Sequence, residues 1–349
     1  MKSLKKKSPR KRFREEMINN LSKPEIIIIL GPTASGKSEL AVRLAKKFNG
    51  EVISADSRQI YRGLDIGSGK VPRDKKTPKS YILNSKFYFY KGVPHYLLDV
   101  ASPKKTFSVS QYQKLAGKAI KKILKRGKIP IICGGTGFYI DALVYGYKLP
   151  EVPPQPKLRK ELGKKSADTL FKQLKKLDPV RAKNIDKFNK RRLIRALEII
   201  LITKKPVPTL STFLEESRQN YDVLFIGIKK PQEELKKLIA KRLKKRLKQG
   251  MLKEVKNLHN SGVSWKKLES FGLEYRWLAR YLITIASNSR NNKNSRVIRE
   301  IYNEMVSLLQ KDIEHYAKRQ MTWFRKNKDI NWVENYKQAK KLIDEFINE

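Results

Sequence analysis

Residues 25–48 read EIIIILGPTASGKSELAVRLAKKF, and this stretch decides the fold. It starts as a short aliphatic run typical of a buried β-strand and passes through a glycine-rich loop. It then continues with Leu40, Leu44, Ala45 and Phe48 at helical spacing. The loop matches G-x-x-x-x-G-K-[ST], and strand, loop and helix are the context in which that motif binds phosphate. The stretch therefore predicts a phosphate-binding loop, or P-loop, at the edge of a sheet.

The P-loop is predicted to hold a diphosphate or a nucleotide through eight consecutive residues, and the motif alone does not say which polyphosphate it binds. Amides of the loop and of the helix N-terminus point at phosphate oxygens, Lys37 adds a positive charge, and Ser38 offers a hydroxyl to Mg²⁺. Mg²⁺ is the predicted cofactor, with Ser38 as its ligand. The diphosphate-binding residues are predicted to be Gly31, Pro32, Thr33, Ala34, Ser35, Gly36, Lys37 and Ser38.

Strand patterns recur further along the chain. EVISAD (51–56) ends in a polar residue, KIPIICGGTGFYIDALVYG (128–146) again runs from strand through a glycine-rich turn into a helix, and YDVLFIGIKK (221–230) is a third buried-strand pattern. Strands that alternate with helices predict an α/β fold, a P-loop NTPase-like core with a mostly parallel sheet flanked by helices. Prolines between 150 and 156 interrupt this order, and helical patterns follow.

The chain is therefore expected to contain a core that is discontinuous in sequence and an inserted helical domain. The core is predicted over 24–150 and 221–340, and the insertion over 151–220. The basic segment 1–23 is expected to be a disordered tail.

The balance of 79 Lys and Arg against 33 Asp and Glu gives a formal charge of +46, which favours a polyanion, above all nucleic acid, as partner. A proteome with a general lysine bias is the alternative. One cysteine and three histidines exclude a disulfide framework and a Cys/His zinc site, which suits a reducing cytoplasm. The aliphatic run Ile26 to Leu30 falls far short of the roughly 20 residues that span a bilayer, so we expect a soluble protein with no membrane segment.

Two carboxylates are candidates for chemistry next to the P-loop. Asp56 emerges from the second strand pattern, where ligands of parallel sheets bind. Its alternative role is an Asx-type cap on the following turn. Asp99 follows only two leucines in HYLLDV, so a Walker-B acid, which nucleotide hydrolases and many kinases place on Mg²⁺, is weakly supported.

Arginines mark two of the predicted helices. In KRRLIRALEIIL an apolar stripe turns Arg191, Arg195 and Glu198 to the opposite face, which suits either a phosphate backbone or plain solvent. Arg242 instead falls among leucines on an apolar stripe, with Arg246 one turn later. Such an arginine needs a buried anion or carboxylate as partner, unless it snorkels at the stripe edge.

Six sequence blocks between about residue 25 and residue 326 together resemble the tRNA dimethylallyltransferase family, of the bacterial type. The blocks occur in the family's order, and they are GPTASGKS, SADSRQIYRGLDIGSGK, PHYLLDV, GGTGFYIDAL, NKRRLIRALEI and AKRQMTWFR. The resemblance implies transfer of a dimethylallyl group from its pyrophosphate to the exocyclic amine of the adenosine 3′ of the tRNA anticodon. Pyrophosphate is then the leaving group.

The resemblance also implies roles for single residues. Asp56 would be the general base, Thr33 would lie near the bridging oxygen, and Arg242 would clamp the diphosphate. The helical insertion would hold the anticodon stem-loop, and a monomer is the expected state. The implied tRNA-binding residues are Asp56, Ser57, Arg58, Gln59, Thr136, Arg159, Arg191, Arg192, Leu193, Ile194 and Arg195.

The sequence departs from the family pattern in several blocks, which are GSGK (67–70), PHY (94–96), insertions at 71–92 and 287–296, and SFGLEYRWL (270–278). Because of the last departure, the resemblance implies no role for Glu274. The sequence also lacks the cysteine pair of a eukaryotic zinc finger. Two other functions fit the P-loop: a small-molecule or nucleoside kinase with a basic lid, and an RNA-binding protein whose P-loop holds an RNA phosphate.

Overall fold

The computed structural model describes residues 23–75, 88–147, 150, 152–207, 221–288 and 295–348. The chain divides into two compact units, one formed by residues 1–144 and 220–349 and the other by residues 145–219. The second unit thus begins a few residues before the boundary at 151 expected from the prolines. The basic tail to residue 22 and the centres of the 71–92 and 287–296 insertions lie outside the described residues.

The described part of the larger unit contains a seven-stranded sheet in the order β3-β4-β2-β5-β1-β6-β7. All neighbouring strands are parallel except β3 and β4, so the predicted mostly parallel α/β fold is confirmed. The strands are β1 (Glu25–Leu30), β2 (Gly50–Ala55), β3 (Tyr88–Tyr90), β4 (Val93–Tyr96), β5 (Ile129–Gly134), β6 (Asp222–Ile228) and β7 (Ile330–Val333).

The larger unit also contains helices, both in its section before the second unit and in its section after it. They are α1 (Lys37–Lys47), α2 (Val109–Leu124), α3 (Gly137–Val144), α8 (Gln232–Lys248), α9 (Met251–Asn260), α10 (Trp265–Phe271), α11 (Leu273–Asn288), α12 (Ser295–Phe324) and α13 (Tyr336–Asn348). Helices α1 and α13 pack on the central strands, where Leu44, Ile131 and Ile343 are fully buried. Helices α8 to α12 share a second core that includes Leu278 and Leu309.

The second unit contains four helices in its described residues. They are α4 (Pro156–Lys164), α5 (Ala167–Leu177), α6 (Pro179–Lys183) and α7 (Lys190–Thr203). Leu170, Leu174, Leu193 and Leu197 form its core, and none of them is exposed to solvent. Across both units, none of the helices in the described ranges is long and apolar enough to cross a membrane.

The carboxyl ends of the central strands lie side by side. Gly134 at the end of β5 is in register with Leu30 of β1 and with Ala55 of β2, and Leu30 is in register with Gly227 of β6. Loops that follow these strands therefore surround one crevice, the usual ligand position of an open parallel sheet. β2 and β5 approach closely here, since a Cβ on Gly134 would lie 2.1 Å from the Ala55 carbonyl oxygen.

Gly134→Ala should therefore destabilise the fold, by roughly 1 to 3 kcal/mol, because the backbone of β2 or β5 must move to admit the methyl group. Gly117→Ala is the matched control: Gly117 lies inside α2, and a Cβ there meets nothing within 4 Å. That change should stabilise the protein by about 0.5 to 1 kcal/mol. Urea unfolding measures both, and equal midpoints for the two variants would contradict the close approach of the strands.

Candidate active site

The predicted P-loop folds as an anion-binding turn. Gly31, Ala34 and Gly36 all adopt positive φ angles, 153°, 65° and 90°, and such alternation turns successive amides toward one point. Lys37 begins α1 and its Nζ lies 3.2 Å from the carbonyl oxygen of Pro32. The buried Ser35 hydroxyl has no hydrogen-bond partner among the described residues. The loop therefore carries polar groups that a ligand can satisfy.

A cavity of about 540 Å³ opens over this loop. All of the predicted catalytic and core-unit tRNA-binding residues line it, together with side chains of α12 to which the sequence gave no role. The predicted residues on its wall are Thr33, Lys37, Ser38, Asp56, Ser57, Arg58, Gln59, Thr136 and Arg242.

Lys37, Arg242 and Arg246 line the cavity and lie close enough for their charges to repel one another. Burial lowers the pKa of Lys37 to about 8, and the nearby charge of Arg242 acts in the same direction. Burial likewise lowers the pKa of Arg242 to about 10, and Arg246 adds to that effect. Charged forms that are desolvated in this way gain from an anion placed beside them.

The two arginines of α8 differ in their partners. Arg246 is buried and forms an ion pair with Glu274 at 3.0 Å, and it donates a second hydrogen bond to the carbonyl of Gly67. Glu274, to which the sequence assigned no role, is thus the carboxylate partner of Arg246. Arg242 forms no ion pair or hydrogen bond with any residue that the structure describes. Its guanidinium is left for a bound anion.

Asp56 forms the Asx-type cap that was considered for it, and it also lies at the cavity. Its Oδ1 accepts hydrogen bonds from the amides of Arg58 at 2.8 Å and Gln59 at 3.4 Å, which is the Asx-type cap. The same carboxylate lines the cavity. Thr136 supports this turn, since its hydroxyl accepts a hydrogen bond from the Ser57 amide at 3.1 Å. The cap thus fixes the carboxylate at the wall of the cavity.

The sequence did not reveal Gln320 of α12, which joins two loops of the site. Its Oε1 accepts a hydrogen bond from the Thr33 amide at 2.9 Å, and its Nε2 donates one to the Gly135 carbonyl, also at 2.9 Å. The side chain is 6% exposed. Gln320 therefore fixes the start of the P-loop relative to the glycine-rich turn after β5. The resemblance included Gln320 in the block AKRQMTWFR, without a role.

Asp99, the weak Walker-B candidate, is engaged elsewhere. Lys70 is buried and binds the carboxylates of Asp65 and Asp99 and the carbonyl of Tyr61. Asp99 does not line the cavity over the P-loop. Within the described ranges, no group of three or more His, Cys, Asp or Glu side chains forms a metal cluster.

An aromatic rim borders the cavity. The rings of Phe138 and Trp323 meet edge to face with centroids 6.4 Å apart, and both are partly exposed. The Trp323 indole donates a hydrogen bond to Asp141 at 2.9 Å. Burial raises the pKa of Asp141 to about 6, and this hydrogen bond opposes the rise. The cavity thus combines a cationic wall with an apolar rim.

In the second unit, a buried carboxylate organises two of the predicted tRNA-binding arginines. Glu198 accepts two hydrogen bonds from Arg159 at 2.7 Å and one from Arg195 at 2.6 Å. Burial on its own raises the pKa of Glu198, but the hydrogen bonds from Arg159, Gln155 and Arg195 lower it to about 2. The expectation that Glu198 lies on a solvent face of its helix is wrong, because the carboxylate is fully buried.

The other predicted tRNA-binding residues of α7 differ in how far they are exposed to solvent. Arg191 and Arg192 are exposed, Ile194 is half-buried, and Leu193 is fully buried in the core of the unit. The Leu193 side chain therefore cannot touch RNA, which corrects that part of the prediction. Its helical spacing among apolar residues already indicated a core position.

Known proteins resemble the chain over most of its length. A profile described as IPP transferase matches residues 59–327, and one described as isopentenyl transferase matches residues 24–88. The chain belongs to the IPP transferase family. A tRNA dimethylallyltransferase 2 of Citrifermentans bemidjiense is 40% identical over 318 residues, which cover 89% of this chain and 91% of that relative. The family membership expected from the six sequence blocks is confirmed.

Solved structures of the family share the fold. A tRNA isopentenylpyrophosphate transferase from Staphylococcus epidermidis aligns with a TM-score of 0.60 and 34% identity, covering 93% of this chain and 99% of that one. A eukaryotic dimethylallyltransferase, described as acting on tRNA, aligns with a TM-score of 0.72 and 25% identity over 93% of this chain and 80% of its own. The chain is therefore a transferase of the fold predicted from its sequence.

Gln320→Met should weaken the binding of inorganic pyrophosphate by on the order of tenfold, because the P-loop loses its tie to Gly135 and must be ordered by the ligand. Isothermal titration calorimetry measures this affinity. Gln338→Met is the matched control, since Gln338 is exposed and bonds only locally to the Glu334 amide. Equal affinities of the two variants would show that Gln320 does not position the loop.

Pyrophosphate binding should also depend on pH through Lys37. Its pKa in the free protein is about 8, and a bound anion raises that pKa. Below this pH, Lys37 is already charged and binding takes up no proton there. Above it, binding must protonate Lys37, so the affinity should fall by up to about tenfold per pH unit.

Calorimetry between pH 7 and 9.5 tests this dependence. Lys37→Met provides the control, since any pH dependence that it keeps belongs to the ligand or to other groups. Identical pH profiles for the parent and Lys37→Met would contradict the assignment.

Proposed function

We propose that the chain transfers a dimethylallyl group from dimethylallyl pyrophosphate to the exocyclic amine of the adenosine 3′ of the anticodon in tRNA, with release of pyrophosphate. One observation carries the proposal: the cations Lys37 and Arg242 and the carboxylate of Asp56 line the same cavity. Relatives named for this activity on tRNA support the proposal.

The cationic wall suits a leaving group. When the allylic C–O bond breaks, its electron pair moves to the pyrophosphate, and negative charge grows there. Lys37, Arg242 and the amides of the P-loop stabilise this charge more in the transition state than in the ground state. The aromatic rim of Phe138 and Trp323 offers an apolar surface to the hydrocarbon part of the same molecule.

Asp56 is the proposed general base. The adenine amine is a weak nucleophile until its proton is removed, and the amine nitrogen then forms the new C–N bond. The proton passes to the carboxylate of Asp56, whose Oδ1 is held by the amides of Arg58 and Gln59. A base positioned in this way contributes roughly 10² to 10⁴ in rate.

The residues present fit a Mg²⁺ ion. Magnesium keeps several waters and takes one or two protein oxygens together with substrate phosphates, and the Ser38 hydroxyl lines the cavity next to Lys37. Ser38 would hold the ion, which would neutralise part of the charge on the departing pyrophosphate. Such a site needs no carboxylate cluster.

The second unit supplies exposed cations for tRNA. Arg191 and Arg192 are exposed, while Arg159 and Arg195 keep about two-fifths of their side-chain surface in solvent beside Glu198. Their free N–H groups can contact phosphates of the anticodon stem. The target base is stacked in the loop, so the enzyme must flip it out, at a cost of a few kcal/mol. We further propose that the enzyme is a cytoplasmic monomer.

A kinase is the less favoured alternative. It needs a carboxylate on Mg²⁺ near the P-loop, and Asp99, the other candidate, binds Lys70 away from the cavity. An RNA-binding protein without chemistry would leave the apolar rim and the Asp56 carboxylate without a use.

Asp56→Asn should lower kcat by roughly 10² to 10⁴, with little change in the KM for dimethylallyl pyrophosphate, because asparagine keeps the Asx-type cap but accepts no proton. The measurement is transfer of labelled dimethylallyl groups to unmodified tRNA with Mg²⁺. Asp74→Asn is the control, as Asp74 caps a surface turn through the amides of Lys91 and Gly92. Full activity of Asp56→Asn would remove the base assignment, and no transfer by the parent protein would refute the function.

A further inference from the structure

Phe188 is the most exposed large hydrophobic side chain in the described residues, at 78% of its surface. It stands in the turn before α7 of the second unit, and Val180, at 57%, comes next in exposure. An exposed aromatic ring does not stabilise the fold through the hydrophobic effect, because its apolar surface stays in contact with water. A ring presented in this way is available to a ligand.

The turn holds Phe188 in place through its backbone. The Phe188 amide donates a hydrogen bond to Asp186 Oδ1 at 3.1 Å, and the Asn189 amide donates one to the Asp186 carbonyl at 3.1 Å. The Lys190 amide donates to the Phe188 carbonyl at the same distance. The ring is therefore displayed on an ordered turn, which reduces the entropy lost when it binds a partner.

Cations surround the ring along the chain. Lys183, Lys187, Arg191 and Arg192 are exposed, and none of the four forms an ion pair with a residue that the structure describes. Lys187 Nζ lies 5.1 Å from the centre of the Phe188 ring. An aromatic ring between unpaired cations is the pattern by which proteins bind single-stranded nucleic acid, with bases on rings and phosphates on cations.

We propose that Phe188 stacks on an unpaired base of the RNA substrate while the cations beside it contact the flanking phosphates. The inference rests on the proposed function, and it adds a base-stacking contact outside the cavity over the P-loop. Because a phenyl ring has no hydrogen-bonding group, the contact selects unpaired RNA without selecting a particular base. A protein surface as partner is less suited to four unpaired positive charges.

The test compares two RNAs in equilibrium binding, an anticodon stem-loop and a fully paired RNA duplex made of two strands and containing the same number of nucleotides. Phe188→Ala should weaken binding of the stem-loop by roughly 5- to 150-fold, the effect of one base–aromatic stack. Binding of the duplex should change little, because its bases are paired and stacked on one another along the helix. Phe188→Trp should restore stem-loop binding. Ile202→Ala, a truncation of an exposed apolar residue near the other end of α7, should change neither affinity.

Salt dependence separates the ring from the cations. Phe188→Ala should leave the slope of log K against log salt unchanged, whereas Arg191→Gln with Arg192→Gln should lower it by about 0.7 per lost phosphate contact. The stacking proposal is overturned if Phe188→Ala binds the stem-loop like the parent, or weakens both RNAs equally. Transfer to tRNA by the parent is measured alongside, so that loss of the proposed function is recognised separately from loss of the stacking contact.

Discussion

Two half-buried cations, Lys37 and Arg242, decide the electrostatics of the site, because the chain brings them together without an ion pair between Arg242 and any described carboxylate. Burial depresses the pKa of both groups, so their charged forms would be stabilised by an anion placed beside them. Arg246 shows the contrast on the same helix, since Glu274 neutralises it. In the proposed function, Arg242, which forms no ion pair with a described residue, therefore faces the negative charge of the ligand.

The sheet makes this arrangement possible. Parallel strands β1, β2 and β5 end at one edge, so the P-loop, the turn of Asp56 and the glycine-rich turn at Gly135 become neighbours although they are far apart in sequence. Gln320 then ties two of these loops together. In the proposed function, the cations that face the pyrophosphate, the general base and the apolar rim come from different loops and helices, which this placement brings together.

Local patterns allowed much of this site to be predicted. The P-loop is contiguous in sequence, and Asp56 ends a strand pattern, so both were found without the fold. The resemblance supplied further roles, and the family membership that it implied is confirmed. Arg242 was singled out because it interrupts a leucine stripe.

Contacts between distant residues could not be predicted in the same way. Gln320 lies 287 residues from Thr33, whose amide it binds, and the Arg246–Glu274 pair joins two helices. The burial of Glu198 could not be predicted from helical periodicity, because that pattern places every charged residue on the solvent-facing side of a helix. A carboxylate can nevertheless be buried when arginines bind it.

The central claim is that the bound diphosphate leaves from carbon and is not attacked at phosphorus. Dimethylallyl pyrophosphate labelled with ¹⁸O at the oxygen that joins carbon to phosphorus tests it directly, with the protein, Mg²⁺ and unmodified tRNA. We predict that all of the label appears in the released pyrophosphate and that the tRNA gains the dimethylallyl group. Label retained in dimethylallyl alcohol, or phosphate transferred to the tRNA, would contradict the account.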